Sequence, residues 1–296
     1  MSIYPPFSPV AIRLTLPAMD DAFDCWGNPD PLSPVIISVP HAGRDYPDAL
    51  HDALRVPTSA LIALEDRHVD HVAAAAREIE TTLVQRHGRA WIDLNRAEDE
   101  RDPRVDEGAV PQRQPSAKLR SGLGLVPRRV GGAGDLWRRR FTAAEIDARI
   151  VADHRRYHAA LDGLLAAARA RFGVAVLLDL HSMPPLGASG SRVVIGDRFG
   201  RSCGARFARR LEHVMNRAGL SWAFNAPYAG GHIVQRHGRP THGIHAVQLE
   251  LDRALYLDTA LDGIGPGLAA TAALVRRMID VLADEAGAPP LAQAAE

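Results

Sequence analysis

Two predominantly apolar runs, VIISVP over Val35–Pro40 and VAVLLDL over Val174–Leu180, each lead directly into a histidine, His41 and His181. Runs this short and this rich in β-branched and aliphatic residues read as strands buried on both faces. Ala90–Asn95, Arg192–Gly196 and His245–Leu251 extend the series. Helical patterns lie between them. Thr58–Glu80 has Thr58 as its N-cap, and Thr142–Arg171 opens with Thr142 and Glu145 in capping-box spacing; Gly200–Ala218 and Gly265–Glu285 follow. Strands alternating with helices predict an α/β fold of three layers, α/β/α, around a mostly parallel mixed sheet. In such sheets ligands bind beyond the carboxyl ends of the strands, so the polar residues that end these runs carry the functional reading.

A chain of 296 residues with 46% hydrophobic content can bury one large core, and a single domain over 1–296 is expected. The arginine- and glycine-rich stretch 97–140 is too long for an ordinary connection and reads as a loop covering a site; the tail from Ala286 reads as frayed. Lys+Arg and Asp+Glu both number 35, which leaves no basic field for nucleic acid and makes a small molecule the expected partner. The lone Cys25 and Cys203 fit neither a disulfide framework nor a thiolate zinc site. The N-terminal MSIYPPFSPVAIRLTLPAMDD lacks the pattern of a secretion signal, and no run is long enough to span a membrane, so a cytoplasmic protein is expected.

Thirteen histidines invite a search for metal ligands. His41 and His181 close two strands and can converge on one ion, with Asp179 on the same side of its strand as His181. A catalytic zinc site needs a third protein ligand. In LIALEDRHVDHV, Glu65, Asp66, His68 and His71 crowd two turns, and the sequence leaves open whether they ligate or form a solvated face. Glu250, between Leu249 and Leu251, is costly as a buried carboxylate unless it meets a cation or moves a proton, and it reads as a general base. Arg89, Asn95 and Arg96 bracket another apolar run and suit carboxylate recognition and oxyanion stabilisation. The histidine-rich stretch after Gly230 and Gly231 reads as a flexible loop, with His232 its most interesting member. No GxSxG elbow surrounds Ser182, and neither GLGLVPR nor GGAGD has a nucleotide-binding context.

SVPHAGRDYP, WIDLNR, LLDLHSM and GGHIVQRHGRPTHGIHAVQLEL, in this order, resemble the signature blocks of the N-formylglutamate amidohydrolase family over about residues 35–257. The resemblance implies a zinc-peptidase-like, phosphorylase/hydrolase-type fold related to zinc carboxypeptidases and aspartoacylase. It implies metal-dependent hydrolysis of N-formyl-L-glutamate to formate and glutamate, in histidine breakdown. By that resemblance His41 and His181 hold one divalent ion, zinc by ligand type; Glu250 is the catalytic glutamate; Asn95 and Arg96 bind the substrate carboxylate and Arg89 stands near the oxyanion. The acidic ligand of a His-x-x-Glu motif is missing because Arg44 occupies its position, so Asp66 is assigned, with Glu65 the alternative. Arg67 stands where an aromatic residue is expected, which keeps a related N-acyl amino acid open as substrate. A metallo-carboxypeptidase or peptidoglycan amidase on the same fold, and a non-catalytic binder of acidic amino-acid derivatives, are the competing readings.

Overall fold

A computed structural model describes residues 22–187 and 190–288. The N-terminal stretch read for a secretion signal, and the tail beyond residue 288, lie outside the described residues. In chain order the strands are β1 Phe23–Trp26, β2 Val35–Val39, β3 Thr81–Gln85, β4 Arg129–Val130, β5 Gly134–Asp135, β6 Ala175–Met183, β7 Val193–Gly196, β8 Trp222–Phe224 and β9 Ile244–Asp252. The helices are α1 Asp48–Ala53, α2 Val69–Ala76, α3 Ala117–Arg120, α4 Ala143–Arg149, α5 Arg156–Phe172, α6 Ala205–Ala218, α7 His232–His237 and α8 Leu268–Gly287.

Seven strands form one sheet in the order β1-β3-β2-β6-β9-β7-β8. Strands β3, β2, β6 and β9 run parallel, while β1 and β7 are antiparallel to their neighbours β3 and β9. This is the expected mostly parallel mixed sheet. On one face Ile37, Val39, Val176, Leu178, Leu180, Val247, Leu249 and Leu251 pack with Val72 of α2, Phe207 and Leu211 of α6 and Met278 and Leu282 of α8. On the other, Ile36, Leu177 and Ala246 pack with Tyr157, Leu161 and Leu165 of α5 and with apolar residues of 90–141.

The site follows from strand alternation along that second face. Past Ile36 comes Ser38, past Leu177 come Asp179 and His181, and past Ala246 come Gln248 and Glu250. Strand register sets Ser38 beside Asp179, Asp179 beside Gln248, and His181 beside Glu250. An apolar face thus turns polar over the last residues of β2, β6 and β9, at their carboxyl ends.

Several expected elements fall differently. The helix over Thr58–Glu80 is broken: Thr58–Leu64 is a 3-10 turn with Pro57 at its cap, and an α-helix resumes only at Val69. The break has a local cause, because the Asp66 amide donates to the His41 carbonyl at 2.9 Å instead of to its own helix. Ala90–Asn95 is not a strand; Trp91 and Arg96 close turns onto Gly88 and Asp93, and Ile92 and Leu94 are buried beneath irregular chain. The strand in this region is TTLVQ at Thr81–Gln85, buried throughout but polar enough to escape a hydrophobic reading.

The α6 and α8 helices start later than expected, at Ala205 and Leu268. Ala286 and Gly287 continue α8 rather than fraying. The capping box of Thr142 and Glu145 forms, and the helix runs through a π turn at Ile150–Arg155 into α5, which ends at Gly173 with φ +80°. Segment 97–140 carries α3 and the β4–β5 hairpin. Among the described residues no helix is long and apolar enough to cross a membrane.

Candidate metal centre and substrate cleft

His41, immediately past β2, and His181, within β6, bring their rings to 4.8 Å between centroids. Asp66 enters from the broken helix: its Oδ2 lies 3.0 Å from His181 Nδ1 and 3.5 Å from His41 Nδ1. All three are buried. Their far edges are fixed by other carboxylates. His41 Nε2 meets Asp93 Oδ1 at 2.7 Å, and His181 Nε2 meets Asp179 Oδ2 at 2.9 Å. Ionised carboxylates only accept, so both Nε2 atoms donate outward, and the two Nδ1 atoms face Asp66, donating to it in the metal-free protein and being the nitrogens that would ligate an ion. Asp179 is itself held by Ser38 Oγ at 2.8 Å, and Ser38 is 3.0 Å from the Tyr157 hydroxyl.

Two imidazole nitrogens and a carboxylate oxygen, each steadied by an outer acceptor, make a ligand set of the catalytic zinc type. These three residues could hold a metal ion. Glu65, the alternative ligand, is turned away: it accepts from the Tyr46 hydroxyl at 2.6 Å and from Arg67 at 2.7 Å. Arg44 is paired with Asp70. His68, half-buried, and His71, exposed, group with Asp70 apart from the centre.

Charges follow this geometry. Burial opposes the charge on Asp66, but hydrogen bonds from His181 and His41 hold its carboxyl below the usual range. Burial likewise works against protonated His181, yet Asp179 and Asp66 raise it well above an ordinary imidazole. Glu250 moves the other way: burial, offset in part by His181 and reinforced by Asp66, pushes it up to about 7. Its Oε1 accepts from Gln248 Nε2 at 2.7 Å. A buried carboxylate that titrates near neutrality, beside His181, is suited to proton transfer.

The centre opens into a cleft of about 700 Å³, lined on the chemical side by His41, Asp66, Arg89, Asn95, His181 and Glu250. Arg89 places Nε and Nη2 each 2.8 Å from Asp93 Oδ2, which ties it to the carboxylate that orients His41. Asn95 accepts from the Ile233 amide at 2.9 Å and reaches Gln248 at 3.3 Å and His181 at 3.4 Å. Gly231 permits this: a Cβ there would stand 2.3 Å from Asn95 Oδ1. Arg96 donates to the carbonyls of Leu123 and Asn95 at the cleft edge.

His232 is not among the lining residues. The segment read as a flexible loop is the packed helix α7, and the His232 ring faces His154 and His158. The sequence reading also missed Lys118, Arg129 and Arg253, which line the cleft. Burial, then the charges of Arg96 and Arg89, lower the Lys118 ammonium, so these three cations face one another at the cleft. Arg253 braces Asp66, with Nη2 3.4 Å from its Oδ1. Its place three residues beyond Glu250 was the available signal; for Lys118 and Arg129 the signal was only the reading of 97–140 as a loop over a site, which singles out neither residue.

The N-formylglutamate amidohydrolase family model matches residues 33–257, which contain every residue of this centre. N-formylglutamate deformylase of Pseudomonas putida is 33% identical over 232 residues, covering 76% of this chain and 82% of that protein. N-formylglutamate deformylase of Pseudomonas aeruginosa is 32% identical over 262 residues, covering 84% and 92%. The crystal structure of N-formylglutamate amidohydrolase from Ralstonia eutropha superposes with a TM-score of 0.81 at 30% identity, over 89% of this chain and 98% of that one. With this span and identity, the chain belongs to the N-formylglutamate amidohydrolase family and is a hydrolase.

Proposed function

We propose that the protein hydrolyses the amide of N-formyl-L-glutamate to formate and L-glutamate, using one divalent ion, zinc by ligand chemistry, held by His41, Asp66 and His181. The names of its relatives support the substrate. One observation carries the chemistry: Glu250, raised to about 7, sits beside His181 in strand register under a cleft ringed by cations. Bound there, the metal would acidify a water and polarise the formyl oxygen.

Glu250 Oε2 takes the water proton and delivers it to the departing amine nitrogen, a carboxylate near its own pKa being able to do both. Arg89, whose Nη1 is not committed to Asp93, donates to the developing oxyanion. Arg96 and Asn95 hold a substrate carboxylate, and Lys118 supplies the charge for the second carboxylate of a dicarboxylic substrate. Binding both ends turns charge complementarity into orientation of the scissile bond. Arg89 and Arg96 share the single carboxylate Asp93 while Lys118 adds a third positive charge, and this excess favours an acidic small molecule. The test is product release from N-formyl-L-glutamate against N-formyl-L-aspartate and N-acetyl-L-glutamate. A higher kcat/KM for the formylglutamate is expected, and preference for either control would reassign the substrate.

A further inference from the structure

A second group of histidines closes on itself behind residues 94–96. His154 lies in the π turn, His158 four residues on in α5, and His232 at the start of α7. One ring nitrogen from each lies within 4.8 Å of the others, and the ring centroids are 4.4, 5.3 and 5.9 Å apart. His154 and His158 are fully buried.

Carbonyls only accept, so two tautomers are determined. His154 Nε2 donates to the Arg96 carbonyl at 2.8 Å, and His158 Nε2 to the Leu94 carbonyl at 3.0 Å. In the neutral rings each Nδ1 is then a bare lone pair. That of His158 is in hydrogen-bond contact with His237 Nε2 at 2.8 Å, while His237 Nδ1 donates to Asp162 at 3.0 Å, so His158 would exchange this contact for an ion. His154 Nδ1 and His232 Nε2 have no hydrogen-bond partner among the described residues. Leaving a buried polar atom unpaired costs about 1–3 kcal/mol, so two in one histidine cluster need an explanation. A ring N–H given to a fixed acceptor, with the other nitrogen bare, is how metal-binding histidines are held. The first centre uses Asp93 and Asp179 as those acceptors; here backbone carbonyls take their place. π turns recur where a helix must present a functional side chain.

We propose that His154, His158 and His232 form a second site, separate from the cleft, for a divalent transition metal of the zinc class. An all-imidazole set favours zinc, nickel or copper over magnesium or calcium. Ligand nitrogens around zinc stand about 3.3 Å apart at metal–nitrogen distances of about 2.0–2.1 Å, so modest ring rotations complete the site. Glu98 Oε1, 3.7 Å from His154 Nδ1, is the nearest carboxylate for a fourth position and would give up its ion pair with Arg155 to fill it. The carbonyls of Leu94 and Arg96 flank Asn95, so an ion here stiffens the segment that carries Asn95 into the cleft. Its role is structural, and it does not depend on the activity proposed above.

Metal-stripped full-length protein titrated with zinc, with bound metal counted by mass spectrometry after desalting, tests this. Two equivalents are expected in the wild type, one in His181→Ala, one in His232→Ala and none in the double variant. A single equivalent in the wild type that disappears in His181→Ala would overturn the second site while leaving the first. One equivalent kept by His181→Ala and lost in His232→Ala would uphold the second site and overturn the first. Should His232→Ala fail to fold, cobalt added to His181→Ala decides: visible d–d absorption and a raised Tm are expected, and no cobalt binding refutes the site.

Discussion

Replacing Glu250 by glutamine changes one atom and the charge. The Gln248 Nε2 bond at 2.7 Å can be kept, since the new amide oxygen still accepts from it. The neutral side chain also relieves a carboxylate whose burial pushes it up to about 7, so the fold should not suffer. What disappears is the ability to take and return a proton. Positioned proton transfer contributes roughly 10²–10⁴-fold. At 1.36 kcal/mol per tenfold, the barrier should rise by about 3–5 kcal/mol. The assay is kcat for formate release at saturating N-formyl-L-glutamate, with metal content and Tm measured on the same preparation. Turnover within threefold of wild type, at equal metal content, would refute the proton-transfer role.

Four further outcomes follow from the same geometry. His181→Ala should lose the ion of the cleft, and full occupancy of that centre by metal analysis would refute the ligand set. Asp93→Asn frees one edge of His41 and of Arg89 together, so metal affinity should fall roughly 10–100-fold, read by competition with a chelating dye. Lys118→Ala removes about 1.5–2 kcal/mol of charge-assisted binding, expected as a roughly 10–30-fold rise in KM with kcat little changed; a pure kcat effect would place Lys118 in the chemistry instead. The base must be ionised, so kcat/KM should fall as pH drops through an acid limb no higher than about 7, because a bound cation beside Glu250 favours its carboxylate. That limb should vanish in Glu250→Gln, and its persistence would assign it to another group.

The strands that carry His41, His181 and Glu250 were legible because burial on both faces leaves an unbroken apolar signal interrupted only at the site. Asp179 and His181 share a side of β6 by simple alternation, which the sequence alone gives. WIDLNR was harder: its apolar residues are buried, but Asp93 bends the chain into turns, so the right residues were read on the wrong element. Thr81–Gln85 was hidden for the opposite reason, as a central strand with three polar side chains. Nothing local separates Asp66 from Glu65; the choice is made by an amide bonded to His41 and by Tyr46 and Arg67, which take Glu65. His232 follows a double glycine that resembles a hinge, but Gly231 is there so that Asn95 can approach its backbone. Lys118 and Arg129 reach the cleft only through tertiary folding of 97–140.

The central claim is that metal held by His41, Asp66 and His181 is required for hydrolysis. The direct measurement is formate release from N-formyl-L-glutamate by the protein as purified, after chelation, and after zinc is restored. The account predicts release that chelation abolishes and zinc restores in the wild type but not in His181→Ala. Full-rate release from protein shown to contain no metal would contradict it.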